Sequence, residues 1–100
     1  MAEGRGPGGM SPDLYCVYLL RCGDGSLYCG IASDLDRRLK QHVEGKGARY
    51  TAAHPPVALE FSTRARFGRA EAQTIEMRVK RLRRLEKRPY LERLENGGGD

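Results

Sequence analysis

The chain has 100 residues, which is enough for one small domain. Lysine and arginine outnumber aspartate and glutamate by 18 to 13, and residues 64–95 carry 11 basic against 5 acidic side chains. Such a surface attracts polyanions, so nucleic acid is the expected partner, ahead of an acidic protein surface and an anionic membrane. No apolar run is long enough to cross a bilayer or to act as a signal peptide, and we expect a cytoplasmic protein without membrane contact.

The two ends of the chain differ in composition from its middle. Residues 1–12 are rich in glycine and proline and residues 96–100 in glycine, so we expect both to be disordered. One folded domain is predicted over residues 13–95. Three cysteines lack the spacing of metal-binding knuckles and are expected to be small buried side chains with free thiols. A zinc site that joins them to His42 and His54 is a weaker alternative.

A β-hairpin is predicted at the start of the domain. Its strands cover residues 14–22 and 27–31, and a Gly/Asp-rich turn joins them. Each strand carries a tyrosine, Tyr18 in the first and Tyr28 in the second. Phenols so close to the arginine and histidine of the next helix have the density of a functional site.

The length of the turn decides whether the two phenols share a face of the sheet. With a three-residue loop over 23–25, whose last glycine is left-handed, Tyr18 opposes Gly30 and Tyr28 lies on the same face. With a four-residue loop the two tyrosines lie on opposite faces, because side chains alternate along a strand.

The next predicted element is a helix that begins at a weak capping box on Ser33 and ends at Gly45. Its expected buried stripe is Leu35, Leu39 and Val43. At 100° per residue, Arg38 and His42 lie together beside that stripe, whereas Arg37 projects away from it. Arg38 is therefore the arginine expected in a site.

Residues 45–56 form a long polar connection, which suggests a binding loop with Lys46, Arg49 and Tyr50 as its contacts. Residues 57–63 alternate apolar and polar side chains, as a half-buried third strand does. The fold class predicted from all elements is α+β, with a three-stranded antiparallel sheet flanked by three or more helices.

Two more helices are predicted after the third strand. The first covers residues 69–84, with Ala72, Ile75, Val79 and Leu82 on one stripe. Pro89 is expected to open a short last helix that ends near Leu94.

Glu76 lies at the rim of the stripe of the long helix rather than on its solvent side. A carboxylate in that position is either an ion-pair partner of Lys80, four residues later, or a metal ligand. The residues alone favour the ion pair, because charges on helix faces usually pair or remain hydrated.

The order of these elements and residues resembles the GIY-YIG nuclease domain over residues 14 to about 88. Cys16-Val17-Tyr18 stands at the first triplet of that family and Tyr28-Cys29-Gly30 at the second. Arg38 and Glu76 follow on separate helices, in the family's order.

Three segments narrow the resemblance. The small stand-alone YhbQ-like members, found mostly in bacteria, are similar in the segment from Tyr15 to His42, in residues 45–51 and in the E-A-x-x-x-E run over 71–76. The chain also departs from other relatives. Ile31 occupies a place where some repair nucleases have lysine, and His42 stands where those relatives have another tyrosine.

The resemblance implies a metal-dependent endonuclease that hydrolyses phosphodiester bonds in DNA, with single-stranded or branched DNA as substrate and DNA repair as the setting. Glu76 would be the sole protein ligand of one Mg²⁺ or Mn²⁺ ion, and Arg38 would hold the phosphate. Tyr18 is the expected general base and Tyr28 the close second, while His42 polarises a phenol.

The resemblance also implies a nucleic-acid-binding surface and a structural glycine, Gly30. The expected contacts, which bind a strand without reading its sequence, are Lys46, Arg49, Tyr50, Lys80 and Arg83. DNA is favoured over RNA, a monomer is favoured, and a protein partner for targeting is left open.

Two other classes remain as alternatives. One is a non-catalytic nucleic-acid-binding protein that retains the nuclease fold. The other is an accessory subunit that docks through Met77, Arg81 and Arg84 of the long helix, which would require an exposed apolar patch there. Single residues also have ordinary interpretations; Arg38, for example, could pair with Asp34.

Overall fold

The computed structural model describes residues 13–97, and its centre is a small antiparallel sheet. In chain order the elements are β1 (Cys16–Cys22), β2 (Leu27–Ala32), α1 (Leu35–Val43), α2 (Arg49–Ala53), β3 (Pro56–Ser62), α3 (Arg69–Lys80) and α4 (Arg84–Gly97). The strand order is β2-β1-β3, so β1 is central and β2 lies at one edge. The predicted α+β class and three-stranded sheet are confirmed, with four helices around the sheet.

The hairpin has the three-residue loop that places both tyrosines on one face. The Gly25 N–H donates to the Cys22 carbonyl over 2.9 Å and the Cys22 N–H donates to the Ser26 carbonyl over 2.9 Å. Gly25 has φ 88°, the left-handed conformation in which glycine is free of strain. Tyr18 accordingly pairs with Gly30 across the ladder, which is the first of the two registers considered from the sequence.

The two faces of the sheet are covered by different helices. On one face, side chains from β1 and β2 join those of α3, α4 and the segment before α3; the buried set is Val17, Leu19, Cys29, Phe67, Ala72, Ile75, Val79 and Leu91. On the other face, Cys16, Tyr18, Leu20 and Ala32 pack against half-buried Leu35 and Leu39 of α1. The outer edge of β2 therefore lies between α1 on one side and α3 on the other.

Helix α1 differs from its prediction at two positions. Val43, expected in the buried stripe, is 76% exposed, while His42 is buried. The N-cap is Asp34 rather than Ser33, since the Asp34 carboxylate accepts the Arg37 N–H over 3.1 Å. Gly45, with φ 79°, follows the end of the helix as predicted.

The helix predicted over 69–84 is shorter than expected, and the last helix begins earlier than expected. Helix α3 ends at Lys80, and α4 begins at Arg84. The Arg83 N–H donates to the Glu86 side chain over 3.0 Å, half of a capping box, which explains a start at this point. Ala72, Ile75 and Val79 are buried as predicted, and Leu82 lies in the connection after α3.

Pro89 does not open the last helix but lies inside α4. The proline lacks an N–H, so the helix gives up one hydrogen bond there. Helix α4 continues to Gly97, past the boundary expected at residue 95. The predicted disorder of residues 1–12 and 98–100 lies outside the described residues.

The polar connection contains the short helix α2 rather than only a loop. Cys16, Cys22 and Cys29 are buried and free, as predicted. Among residues 13–97 no three histidine, cysteine, aspartate or glutamate side chains form a metal-binding group, so the zinc alternative is not seen there. In the same part of the chain, no helix is both long and apolar enough to span a membrane.

Candidate active site

Three buried polar side chains form a hydrogen-bonded row beneath the sheet. The Tyr18 hydroxyl lies 2.7 Å from Nε2 of His42, and Nδ1 of the same ring lies 2.7 Å from Oγ1 of Thr51. Tyr18 comes from β1, His42 from α1 and Thr51 from α2. Their exposed fractions are 0%, 1% and 1%, so the row is sealed from solvent and its groups depend on one another for hydrogen bonds.

Two glycines let the chain approach this row closely. A Cβ on Gly30 would overlap the hydroxyl oxygen of Tyr18, and a Cβ on Gly47 would overlap Nδ1 of His42. Both contacts are with rigid rings that have no exposed surface to move into. Gly30 was expected as a structural glycine; the role of Gly47 appears only in the fold.

Burial sets the protonation states of the row. It raises the pKa of Tyr18, and the Arg38 guanidinium beside the hydroxyl partly opposes that rise. Burial, and then the positive charge of Arg38, lower the pKa of His42. At neutral pH the row therefore contains a protonated phenol and a neutral imidazole.

Aromatic rings continue from His42 towards solvent. Tyr28 meets the His42 ring edge-on at 5.4 Å between centroids and stacks on Tyr50 at 5.9 Å. Tyr50 in turn stacks on His54 at 4.3 Å, and its hydroxyl donates to Oγ of Ser26 over 2.5 Å. These contacts of Tyr50 hold helix α2 against the hairpin turn.

Arg38 lies where α1 passes the edge strand β2. Its Nη1 donates to Oε1 of Gln41 over 3.0 Å, and its side chain lines an open cleft of about 230 Å³ together with Ile31. Asp34 caps α1 through the Arg37 N–H, so the expected alternative pairing of Arg38 with Asp34 is not the arrangement found. The guanidinium is held by a neutral amide and keeps its charge available for an anion.

Glu76 faces the same edge of the sheet from the opposite side. Its carboxylate lies 3.3 Å from the Lys80 ammonium and is 21% exposed. Burial raises the pKa of Cys29 on β2 to about 12, and the Glu76 carboxylate adds to that rise. The Lys80 ammonium also lies 5.3 Å from the centre of the Tyr28 ring. Lys80 therefore lies against both the Glu76 carboxylate and the Tyr28 ring.

The predicted site residues divide into two sets. Tyr18, Tyr28, Arg38 and His42 lie together on the α1 face of the sheet, whereas Glu76 lies on the α3 face, near Cys29 of β2. An open cleft of about 300 Å³ beside β2 is lined by Tyr28, Tyr50 and Lys80, together with Lys87. Lys46, Arg49 and Arg83 are exposed, outside this cluster.

Thr51 is the member of the site that sequence reasoning missed. It stands nine positions after His42 in a polar segment, and threonine in such a segment has no distinctive pattern. Only the short helix α2 turns its hydroxyl inward against the His42 ring.

The hairpin carries two tyrosines on one face, and separate helices supply an arginine and a glutamate to its edge strand. This arrangement is suited to phosphodiester chemistry. Residues 14–90 match the model of the GIY-YIG catalytic domain, and the chain belongs to this family of nucleases. Membership implies that the chain binds nucleic acid.

Within the family, the chain is similar to UPF0213 proteins. One from Nitratidesulfovibrio vulgaris is 48% identical over 75 residues, covering 75% of this chain and 67% of the relative. One from Bacillus velezensis is 45% identical over 87 residues, covering 83% of each chain. A solution NMR structure of the UPF0213 protein BH0048 from Bacillus halodurans is 37% identical and covers 81% of this chain and 85% of that one, with a TM-score of 0.40.

Proposed function

We propose that the protein is a metal-dependent endonuclease that hydrolyses phosphodiester bonds in DNA, with single-stranded or branched DNA as its substrate. The observation that carries this proposal is the Arg38 guanidinium beside the Tyr18 hydroxyl, with Tyr28 against His42 in the same cluster and Glu76 near Cys29 on the other face of β2. A cation for the phosphate, a carboxylate for a metal and a proton acceptor are the groups that the reaction needs.

Glu76 fits the role of metal ligand. Its carboxylate is partly exposed, and its ion-pair partner Lys80 lines an open cleft. A single carboxylate suits Mg²⁺ or Mn²⁺ because such ions keep several waters and share phosphate oxygens. A bound divalent ion supplies positive charge that stabilises the leaving oxygen and the charge that develops on the phosphate. Lys80 neutralises the same carboxylate in the ion pair, and this exposed pair contributes at most about 1 kcal/mol to folding. It is therefore weak enough to exchange for another cation.

Arg38 would hold the non-bridging oxygens of the phosphate. A guanidinium keeps its charge at any physiological pH and presents two parallel N–H donors, which match two phosphate oxygens. The bond from Arg38 to Gln41 fixes the direction of the side chain while leaving other N–H donors free for substrate.

Two tyrosines are candidates for the general base, and different observations support them. The Tyr18 hydroxyl has a neutral imidazole 2.7 Å away that can take its proton. A phenol that is uncharged at neutral pH needs such an acceptor before it can accept a proton from water. Tyr28 is half-exposed and borders the cleft, so it can touch water and phosphate directly. We assign the base to Tyr18 acting with His42, and the orientation of water or phosphate to Tyr28.

The nucleic-acid strand would run across the exposed basic and aromatic side chains around this edge. Tyr50 is 38% exposed and lines the cleft with Lys80, so the edge of its ring can contact a base while the ammonium meets the backbone. Lys46, Arg49 and Arg83 would add charge that is independent of base sequence.

The decisive experiment incubates the protein with labelled single-stranded, duplex and branched DNA, and with RNA, in Mg²⁺, in Mn²⁺ and in EDTA. We expect cutting of DNA only with a divalent ion, and loss of cutting in Arg38→Ala and Glu76→Ala. Cutting that persists in both variants would refute the assigned site. Binding without cutting in every metal would favour the alternative of a non-catalytic nucleic-acid-binding protein. In such a protein, Glu76 would need no role beyond its ion pair with Lys80.

A further inference from the structure

The buried row ends on a side chain to which the proposed mechanism gives no task. Oγ1 of Thr51 lies 2.7 Å from Nδ1 of His42 and also donates to the carbonyl oxygen of Ala48 over 3.2 Å. Thr51 is 1% exposed, and the absence of a Cβ on Gly47 lets the backbone pack against the same edge of the imidazole. Nδ1, the ring nitrogen of His42 that does not face Tyr18, is thus enclosed by Gly47 and Thr51.

The hydrogen-bond directions in this row follow from counting protons. The Thr51 hydroxyl has one proton, and that proton goes to the Ala48 carbonyl, which can only accept. Towards His42 the same oxygen is then an acceptor, so Nδ1 must carry the ring proton. Nε2 is left with its lone pair and accepts the Tyr18 hydroxyl proton.

The opposite direction leaves the Tyr18 proton without a partner. If Thr51 donated to Nδ1, the Ala48 carbonyl would keep only the Ala52 N–H, which it accepts over 3.0 Å, and Nε2–H would point at the Tyr18 oxygen. The Tyr18 proton would then face the Arg38 guanidinium, which has donors only. Buried polar groups without partners are costly, so the first direction is the stable one.

We propose that Thr51 is a positioning residue that fixes the tautomer of His42, with the proton on Nδ1, and so keeps Nε2 as the acceptor for the proton of Tyr18. The catalytic consequence rests on the proposed function. Tyr18 has no exposed surface in this arrangement, so catalysis requires its hydroxyl to become accessible to water. When that water gives a proton to the Tyr18 oxygen, the phenol proton passes to Nε2 of His42. The resulting imidazolium keeps its Nδ1–H bond to Thr51, and hydroxide is left to attack the phosphate.

Nitrogen-15 NMR of the histidine rings tests the tautomer without any cleavage assay. The chain has two histidines, so a His54→Gln sample assigns the His42 signals. We expect a protonated, pyrrole-type Nδ1 and an unprotonated, pyridine-type Nε2 at neutral pH. A wild-type spectrum with the proton on Nε2 would overturn the proposal.

Substitutions then test whether Thr51 is the cause. Thr51→Val keeps the shape but removes the acceptor, and we expect it to move the ring proton from Nδ1 to Nε2 and to lower kcat about 10-fold or more, with little change in KM. Thr51→Ser restores the acceptor and should return both the spectrum and kcat to near wild type. The matched control is Thr74→Val, which removes an exposed hydroxyl bonded to a carbonyl of its own helix and should change neither.

The outcomes separate this inference from the proposed nuclease activity. Loss of folding in Thr51→Val, seen by circular dichroism, leaves the wild-type spectrum and Thr51→Ser to decide the tautomer. A wild-type protein that cuts no substrate but has the Nδ1 proton refutes the nuclease proposal and supports the positioning of His42. Cutting by Thr51→Val at the wild-type rate, with the ring proton still on Nδ1, refutes the role of Thr51 and leaves the nuclease proposal intact.

Discussion

The two sides of the β2 edge are built in opposite ways. On the α1 side, Tyr18, His42 and Thr51 are sealed from solvent and bonded in one row at 2.7 Å. On the α3 side, Glu76 and Lys80 form a partly exposed ion pair, and Lys80 lines an open cleft. Buried hydrogen bonds are costly to rearrange, whereas exposed ion pairs exchange partners at little cost. The first side is suited to holding a proton acceptor in place, and the second to receiving a metal ion and a phosphate.

The largest effect on cleavage is expected from removing the charge of Glu76, on the exposed α3 side. Glu76→Gln keeps the size of the side chain but removes the negative charge, so we expect cleavage to fall about 100-fold or more while the melting temperature stays near wild type. Glu71→Gln, an exposed carboxylate in the first turn of the same helix, is the control. Titration of Mg²⁺ against both variants measures the effect, and equal rates in the two would rule out Glu76 as the ligand.

Substitutions of Tyr18 and Tyr28 compare a buried tyrosine with a half-exposed one. Removal of the hydroxyl in Tyr18→Phe should lower kcat about 100-fold, the size of a general-base contribution. Tyr28→Phe keeps the ring against His42 and should lower kcat less. Single-turnover cleavage with saturating metal distinguishes them. A larger loss in Tyr28→Phe would move the general base to the exposed tyrosine.

The closeness of the buried row to the backbone predicts a loss of stability rather than of chemistry. Gly30→Ala adds a methyl group that overlaps the Tyr18 hydroxyl, and overpacking of this kind costs about 1–3 kcal/mol. Gly68→Ala adds the same methyl group with nothing within 4 Å and serves as the control. Urea unfolding monitored by circular dichroism should show a lowered midpoint for Gly30→Ala alone.

The smallest effect concerns pH. Because the pKa of His42 is lowered by burial, the unfolded chain binds a proton on acidification before the folded chain does. The free energy of unfolding should therefore fall as the pH drops below the ordinary histidine value of 6.5, and level off below the lowered pKa of the folded state. His42→Gln should lack this decline between about pH 6.5 and 5, above the range in which carboxylates titrate. His54→Gln, at a more exposed position, should retain the decline, and an unchanged slope in His42→Gln would contradict the assignment.

Much of the fold was predictable because it depends on local periodicity. The hairpin followed from its Gly/Asp-rich turn, with two registers left open, and the buried stripe of α3 followed from helical spacing. The burial of His42 and the exposure of Val43 were not predictable from hydrophobicity. The histidine is stable inside only because Tyr18 and Thr51 satisfy both of its nitrogens.

By itself, the sequence determined the strands and the residue types needed for phosphodiester chemistry, because side-chain alternation acts over a few residues. The structure decided between the two possible hairpin registers and so placed the two tyrosines on one face. Only the tertiary structure decided that Thr51 meets His42 and that Glu76 faces Cys29. These contacts join α2 to α1 and α3 to β2. Contacts between elements depend on how helices pack around a sheet edge, and no spacing along a single chain specifies that packing.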